Sequence, residues 1–154
     1  MPSIEDKLKQ KGWIIPDAPK PVAAYVPGVQ CGDLIYTSGQ LPSVNGEIRK
    51  GKLGDNLSIS EGYEAAKICA LNCLSVIKSI AGDLDRIAQI VKVVGFVNST
   101  PDFEAQPKVV NGASELLGEI FGDAGNHSRS AVGVSSLPLG ACCEVEIIAK
   151  LKEK

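Results

Sequence analysis

The run Ile90-Val91-Lys92-Val93-Val94-Gly95-Phe96-Val97 constrains the fold more than any other stretch of the chain. It is rich in β-branched residues and too short for a buried helix, so it reads as a buried strand. A helical repeat lies on either side of it. Before it, Ser58-Ile59-Ser60-Glu61 forms a capping box. Ala66, Cys69, Ala70, Cys73 and Ile77 follow at helical spacing, and Gly82 closes the segment. After it, Thr100-Pro101-Asp102 is expected to start a second helix. Val109/Val110, Ala113, Leu116/Leu117 and Ile120 form its apolar stripe, and Gly122 stops it.

The remaining segments are strand-like. Val22 to Val29 is expected to be a strand, with a turn at Cys31-Gly32-Asp33 and a second strand from Leu34 to Ser38. Asn45-Gly46 is a two-residue hairpin signal. Two strands, Ser130 to Ser135 and Cys142 to Leu151, finish the chain. The order predicts an α+β domain: a mixed β-sheet with two helices packed on one face. The other face then needs a partner, and a second copy of the chain is the simplest one. At the start, Ser3-Ile4-Glu5-Asp6 caps a short helix, and Pro16, Pro19 and Pro21 keep residues 15–21 extended. Residues 1–15 are therefore expected to form an N-terminal helical extension, and 16–154 a single domain.

Composition narrows the function. The chain has 154 residues, 44% of them hydrophobic, and a net charge of −2. That apolar content excludes low-complexity disorder. The charge leaves no basic footprint for a dedicated nucleic-acid binder. Arg49, Lys50 and Lys52 form the one basic knot, read as a solvated hairpin. No apolar run approaches the ~20 residues that span a bilayer, and the polar N-terminus has no secretory h-region. Five cysteines, an odd number without an export signal, point to reduced thiols in the cytoplasm. Cys142 and Cys143 are expected to project to opposite faces of a strand, so they do not form one metal site. No metal and no cofactor are expected, and the thiols read as small buried hydrophobes.

Chemistry concentrates in His127-Ser128-Arg129-Ser130-Ala131-Val132-Gly133 and in Cys143-Glu144-Val145-Glu146. Small neighbours leave the Arg129 guanidinium room to enter a cavity, where its planar fork matches a carboxylate. If the two strands border one cavity, Glu144 faces it as a general acid or base. The plainer reading is a surface ion pair of little worth. His127 reads as a solvated loop residue.

Several blocks together resemble the YjgF/RidA family, also described as endoribonuclease L-PSP. They are Tyr25-Val26-Pro27-Gly28-Val29, Tyr36-Thr37-Ser38-Gly39-Gln40-Leu41-Pro42, Phe96-Val97 with Asp102-Phe103, Val110-Asn111, and Arg129-Ser130 with Leu137-Pro138 and Glu144-Val145-Glu146. The resemblance covers about residues 18–152. The N-terminal extension, the stretch from Asp102 to Asn111 and the apolar turn at residues 137–141 resemble a longer subgroup.

The resemblance implies a chorismate-mutase-like fold and a homotrimer with clefts between subunits. It implies hydrolysis of reactive 2-imino acids, formed from enamines, to 2-keto acids and ammonia. By the same resemblance Arg129 clamps the substrate carboxylate and Glu144 positions or activates water. Tyr25 lines the cleft, Gly39 and Ala131 offer backbone groups, and Asn111 lies at the pocket edge. Two other readings compete: a non-catalytic module that binds a small carboxylate, and an endoribonuclease.

Overall fold

The protein is described by a computed structural model over residues 2–19 and 24–153. Capping boxes start two of its helices. Ser3 Oγ accepts from the Asp6 N–H at 3.0 Å, and the Asp6 carboxylate accepts from the Ser3 N–H, opening α1 (Ile4–Gln10). Ser58 and Glu61 repeat the device at the head of α2 (Ile59–Ala81), at 3.1 and 3.0 Å. Gly82, at φ 87°, ends that helix.

Five strands make the sheet: β1 (Gly28–Cys31), β2 (Leu34–Thr37), β5 (Ile87–Asn98), β6 (Ser128–Val134) and β7 (Cys143–Leu151). Their order is β1-β2-β7-β5-β6, with β5 and β6 parallel and the other pairs antiparallel. A small hairpin, β3 (Ser43–Val44) and β4 (Glu47–Ile48), turns at Asn45 and Gly46, both at positive φ as a primed turn requires. The mixed sheet and its one helix-covered face are as the sequence predicts. α2 and α3 (Gln106–Phe121) lie on that face, over Ile90, Val93, Val97, Val145, Ile147 and Ala149. Gly112 lets the two helices touch, since a Cβ there would overlap the carbonyl oxygen of Tyr63.

α1 is held by the same core. Leu8 is 2% exposed. The Ile4 N–H donates to the Asp85 carboxylate at 2.8 Å, Lys78 pairs with Glu5, and Lys11 pairs with Glu119 at 3.1 Å. No described helix is long and apolar enough to cross a membrane.

Several boundaries differ from expectation: β2 ends at Thr37 rather than Ser38, β6 spans Ser128–Val134 rather than Ser130 to Ser135, and three others have a local cause. The first strand is Gly28–Cys31; Pro27 donates no N–H to a ladder, and residues 22–23 lie outside the described residues. The turn before β2 shrinks to Gly32-Asp33. Thr100-Pro101-Asp102 forms a turn and not a helix start. Thr100 Oγ1 donates to Asp102 at 2.7 Å and the Phe103 N–H to Thr100 O at 3.1 Å. α3 begins only at Gln106, with Pro107 in its first turn, where a missing N–H costs nothing.

Cysteines 69, 73, 142 and 143 are buried, as expected for small hydrophobes, and Cys31 is exposed. Burial pushes the Cys73 thiol up to about 12. β7 begins at Cys143, so strand alternation does not separate Cys142 from it, and both thiols face the interior. Cys143 Sγ lies 3.7 Å from Cys69 Sγ.

Candidate functional site

Arg129 stands on β6 opposite Val93 of β5. Val93 is buried beneath the helices, so Arg129 shares that side of the sheet. Its Nη1 donates to Asn111 Oδ1 at 2.8 Å and to Ser114 Oγ at 3.2 Å, both on α3. Asn111 and Ser114 are three apart on one helical face. Ala131, two residues beyond Arg129, points the same way opposite Gly95. Arg129, Asn111 and Ala131 therefore form one group.

His127 belongs to this group and is not a solvated loop residue. Its Nδ1 lies 2.7 Å from Gly125 O, and its Nε2 lies 2.9 Å from Ser114 Oγ. A carbonyl only accepts, so in the neutral ring Nδ1 carries the proton and Nε2 accepts from the Ser114 hydroxyl. Ser114 in turn accepts from Arg129. The chain Gly125–His127–Ser114–Arg129 sets the direction of every bond in the relay.

Glu144 stands on β7 opposite Phe96. Its neighbours Cys143 and Val145 are buried under the helices, so Glu144 projects from the other face. Its carboxylate sits against Gly39; a Cβ at position 39 would overlap Oε1. Both residues, with Tyr25, line a cavity of about 840 Å³. The segment Pro16–Asp17 and the α2 residues Asn72 and Ser75 also line it. Burial holds the Glu144 carboxyl above its usual range, and the charge of Glu146 adds to this.

The structure thus sorts the sequence-derived site residues into two groups. Tyr25, Gly39 and Glu144 share the cavity, while Arg129, Asn111 and Ala131 cluster on the helix side at the β6 edge. Arg129 and Glu144 do not face each other within one chain, because β5 runs between their strands and their side chains leave opposite faces. Ser114, His127, Asp17, Asn72 and Ser75 were not singled out as site residues from the sequence. His127 carried a signal, its two-residue spacing from Arg129, and Ser114 stands three residues after Asn111.

A mixed sheet with helices on one face and a carboxylate-bearing cavity beside the sheet defines the chorismate-mutase-like class of α+β proteins. The chain belongs to the family described as "YjgF/chorismate mutase-like, putative endoribonuclease", whose pattern matches residues 5–151. It is 43% identical over 146 residues to protein TCP17 of Trypanosoma cruzi, covering 94% of this chain and 91% of that one. It is 27% identical over 137 residues to a 2-iminobutanoate/2-iminopropanoate deaminase of Dermatophagoides farinae, covering 89% of this chain and 93% of that one. The crystal structure of Atu1372 from Agrobacterium tumefaciens, a protein of unknown function, superposes with a TM-score of 0.90 at 39% identity, covering 98% of this chain and 94% of that one.

Proposed function

We propose that the protein hydrolyses reactive 2-imino acids, and the enamines that give rise to them, to 2-keto acids and ammonia in the cytoplasm. The observation that carries this reading is the half-buried Glu144 carboxyl, raised above its usual range and held over Gly39 in a cavity. A carboxylate raised in this direction is a stronger base toward water than an ordinary one. The water oxygen adds to the imine carbon, the nitrogen is protonated and leaves as ammonia, and the carbonyl forms. An imine carbon is already electrophilic, so orientation and one proton-transfer group suffice. The similarity to a relative named as an imine deaminase supports the reading.

Arg129 is the carboxylate clamp. Asn111 and Ser114 hold Nη1, and among the described residues no other hydrogen bond engages the guanidinium, whose planar fork matches a carboxylate. Within one chain that fork faces away from Glu144. The reading therefore places Arg129 of one copy against Glu144 of the next, in a homotrimer with clefts between subunits. Val29, Tyr36 and Val132, exposed by 51%, 39% and 43%, give the sheet an apolar side for such contacts. Asn111 is then a positioning residue for the clamp, and Tyr25 and Ala131 border the cleft.

The test generates imines in situ with a flavin amino-acid oxidase and traps them with semicarbazide. Wild-type protein is expected to suppress trapping, and Arg129→Ala to lose most of that effect. No suppression with any imine removes the reading. Stabilisation against heat by keto acids without turnover would leave a carboxylate-binding module instead. The endoribonuclease reading is the weaker, because a net charge of −2 supplies no phosphate-binding footprint.

A further inference from the structure

Ser114 lies in the middle of α3, where a serine hydroxyl commonly bonds back to a carbonyl of the preceding turn. Ser79 of α2 does this, donating to Val76 O at 2.7 Å. Ser114 is turned outward instead. Among the described residues its Oγ bonds His127 Nε2 at 2.9 Å and Arg129 Nη1 at 3.2 Å, and nothing else. His127 reaches α3 from the turn that follows the helix. That turn, Gly122–Gly125, presses close to the helix backbone, since a Cβ at Gly125 would overlap Leu117 O. The Gly125 carbonyl then accepts from His127 Nδ1 at 2.7 Å, which leaves Nε2 of the neutral ring free to accept from the serine. A hydroxyl bonded to an imidazole, whose other nitrogen is fixed by an acceptor, is the arrangement that activates a nucleophile. Ser114 and His127 are half-buried, so a small reagent can reach them. Gly118, one turn further along the same helical face, would meet nothing with a Cβ, and the approach there is open.

We propose that Ser114 is a nucleophile with His127 as its general base, and that the pair gives the protein a second activity, the hydrolysis of small activated carboxylic esters. Ser114 Oγ attacks the ester carbonyl carbon while its proton passes to His127 Nε2. The carbonyl oxygen gains the negative charge. The Arg129 N–H groups that no described residue engages stand beside the hydroxyl to receive it. The bond to the leaving oxygen breaks, His127 returns the proton to that oxygen, and an acyl-serine remains. Water, deprotonated by His127, then attacks the acyl carbon and frees the acid and the serine. Ester and water give acid and alcohol, with no other reactant. The Gly125 carbonyl orients the ring as a carboxylate would, but it carries no full charge to stabilise the imidazolium, so turnover is modest. This activity uses no part of the cavity at Glu144 and does not rest on the deaminase reading.

The experiment treats the full-length protein with an alkyl fluorophosphonate, a reagent that reports activated serines. Oγ forms a bond to phosphorus, fluoride leaves, and the proton goes to His127. Peptide mass spectrometry is expected to find the label on Ser114 and on no other serine. Labelling should slow about 10²-fold or more in both His127→Ala and His127→Gln. The glutamine is the deciding variant: its amide oxygen can accept the hydroxyl bond but takes no proton, so a purely structural bond would leave its labelling rate at the wild-type value. Turnover of p-nitrophenyl acetate, followed by released nitrophenolate, should fall in the same variants and vanish in Ser114→Ala. Mapping the acetyl group to its peptide separates Ser114 from the exposed thiol of Cys31. Melting curves establish that each variant is folded, and labelling of the wild type stands as a test without them. An unlabelled Ser114 in wild type overturns the proposal. So does full labelling of His127→Gln, and so does ester turnover that survives Ser114→Ala.

Discussion

Arg129 and Glu144 leave opposite faces of one sheet, the first opposite buried Val93 and the second opposite Phe96. A site that uses both has to draw them from different copies. Two inactive variants, Arg129→Ala and Glu144→Gln, should therefore complement each other. Unfolded together and refolded at equal amounts, they are expected to form mixed oligomers in which some clefts carry both native residues. Imine hydrolysis should return to a measurable fraction of wild type, while each variant alone stays inactive. Light scattering is expected to give three times the chain mass of 16.2 kDa. A monomer, or mixtures as inactive as the separate variants, would count against a shared cleft.

Gly39 holds its place through what a side chain would displace. A Cβ there overlaps the end of the Glu144 side chain and not backbone, so the carboxylate moves and the fold survives. Gly39→Ala should lower kcat/KM by about 10²-fold, the usual effect of misplacing a reacting group by an ångström. Thermal melting should shift little. Kinetics beside a melting curve separate the two effects, and unaltered kinetics would show that Glu144 is not working from this position.

His127 should act through Ser114 on the clamp. Gln at 127 can place its amide oxygen near the Nε2 position and keep accepting from the Ser114 hydroxyl; Ala cannot. His127→Ala is expected to raise KM severalfold with a smaller change in kcat, since the lost order is in carboxylate binding. His127→Gln should recover much of that KM. Equal defects in the two variants would reduce His127 to a packing role.

Part of this arrangement was legible in the sequence and part was not. Ser58 with Glu61 and the apolar stripe at Val109, Ala113 and Leu116 announce their helices by local chemistry. The start of α3 was misread because Thr100 and Asp102 satisfy each other within a turn, which looks like a cap from sequence. Glu144 and Gly39 could be picked out through family blocks, yet their contact depends on a bridge between Gln40 and Val145, more than a hundred residues apart. The opposition of Arg129 and Glu144 was hidden for a similar reason. It follows from β5 inserting between β6 and β7 and from the register of each pair, and neither is a local property.

The raised Glu144 carboxyl links acidity to stability. Its folded-state value lies above the ordinary 4.5, so the native state favours the neutral form. The stability this contributes is complete below 4.5 and is lost as pH rises through the folded value. Glu144→Gln cannot ionise, so it should melt above wild type at neutral pH. The difference should close as pH falls toward 4. Melting curves from pH 4 to 8 check the sign, and a variant destabilised most at neutral pH would reverse it.

Leu8 tests how firmly α1 is attached. It is 2% exposed and belongs to the core cluster of the sheet and long helices. Leu8→Ala should cost about 2–5 kcal/mol, the usual range for a buried leucine, and lower the melting temperature in a single transition. Two transitions would mean that the helix unfolds by itself.

Among the five cysteines, burial leaves Cys31 as the exposed one, at the end of the edge strand β1. Thiols sealed in a core react slowly with maleimides, so the unmodified chain carries a single practical handle for a dye. Placed on a sheet border, that label gives intersubunit energy transfer a defined origin without engineering the cysteines away.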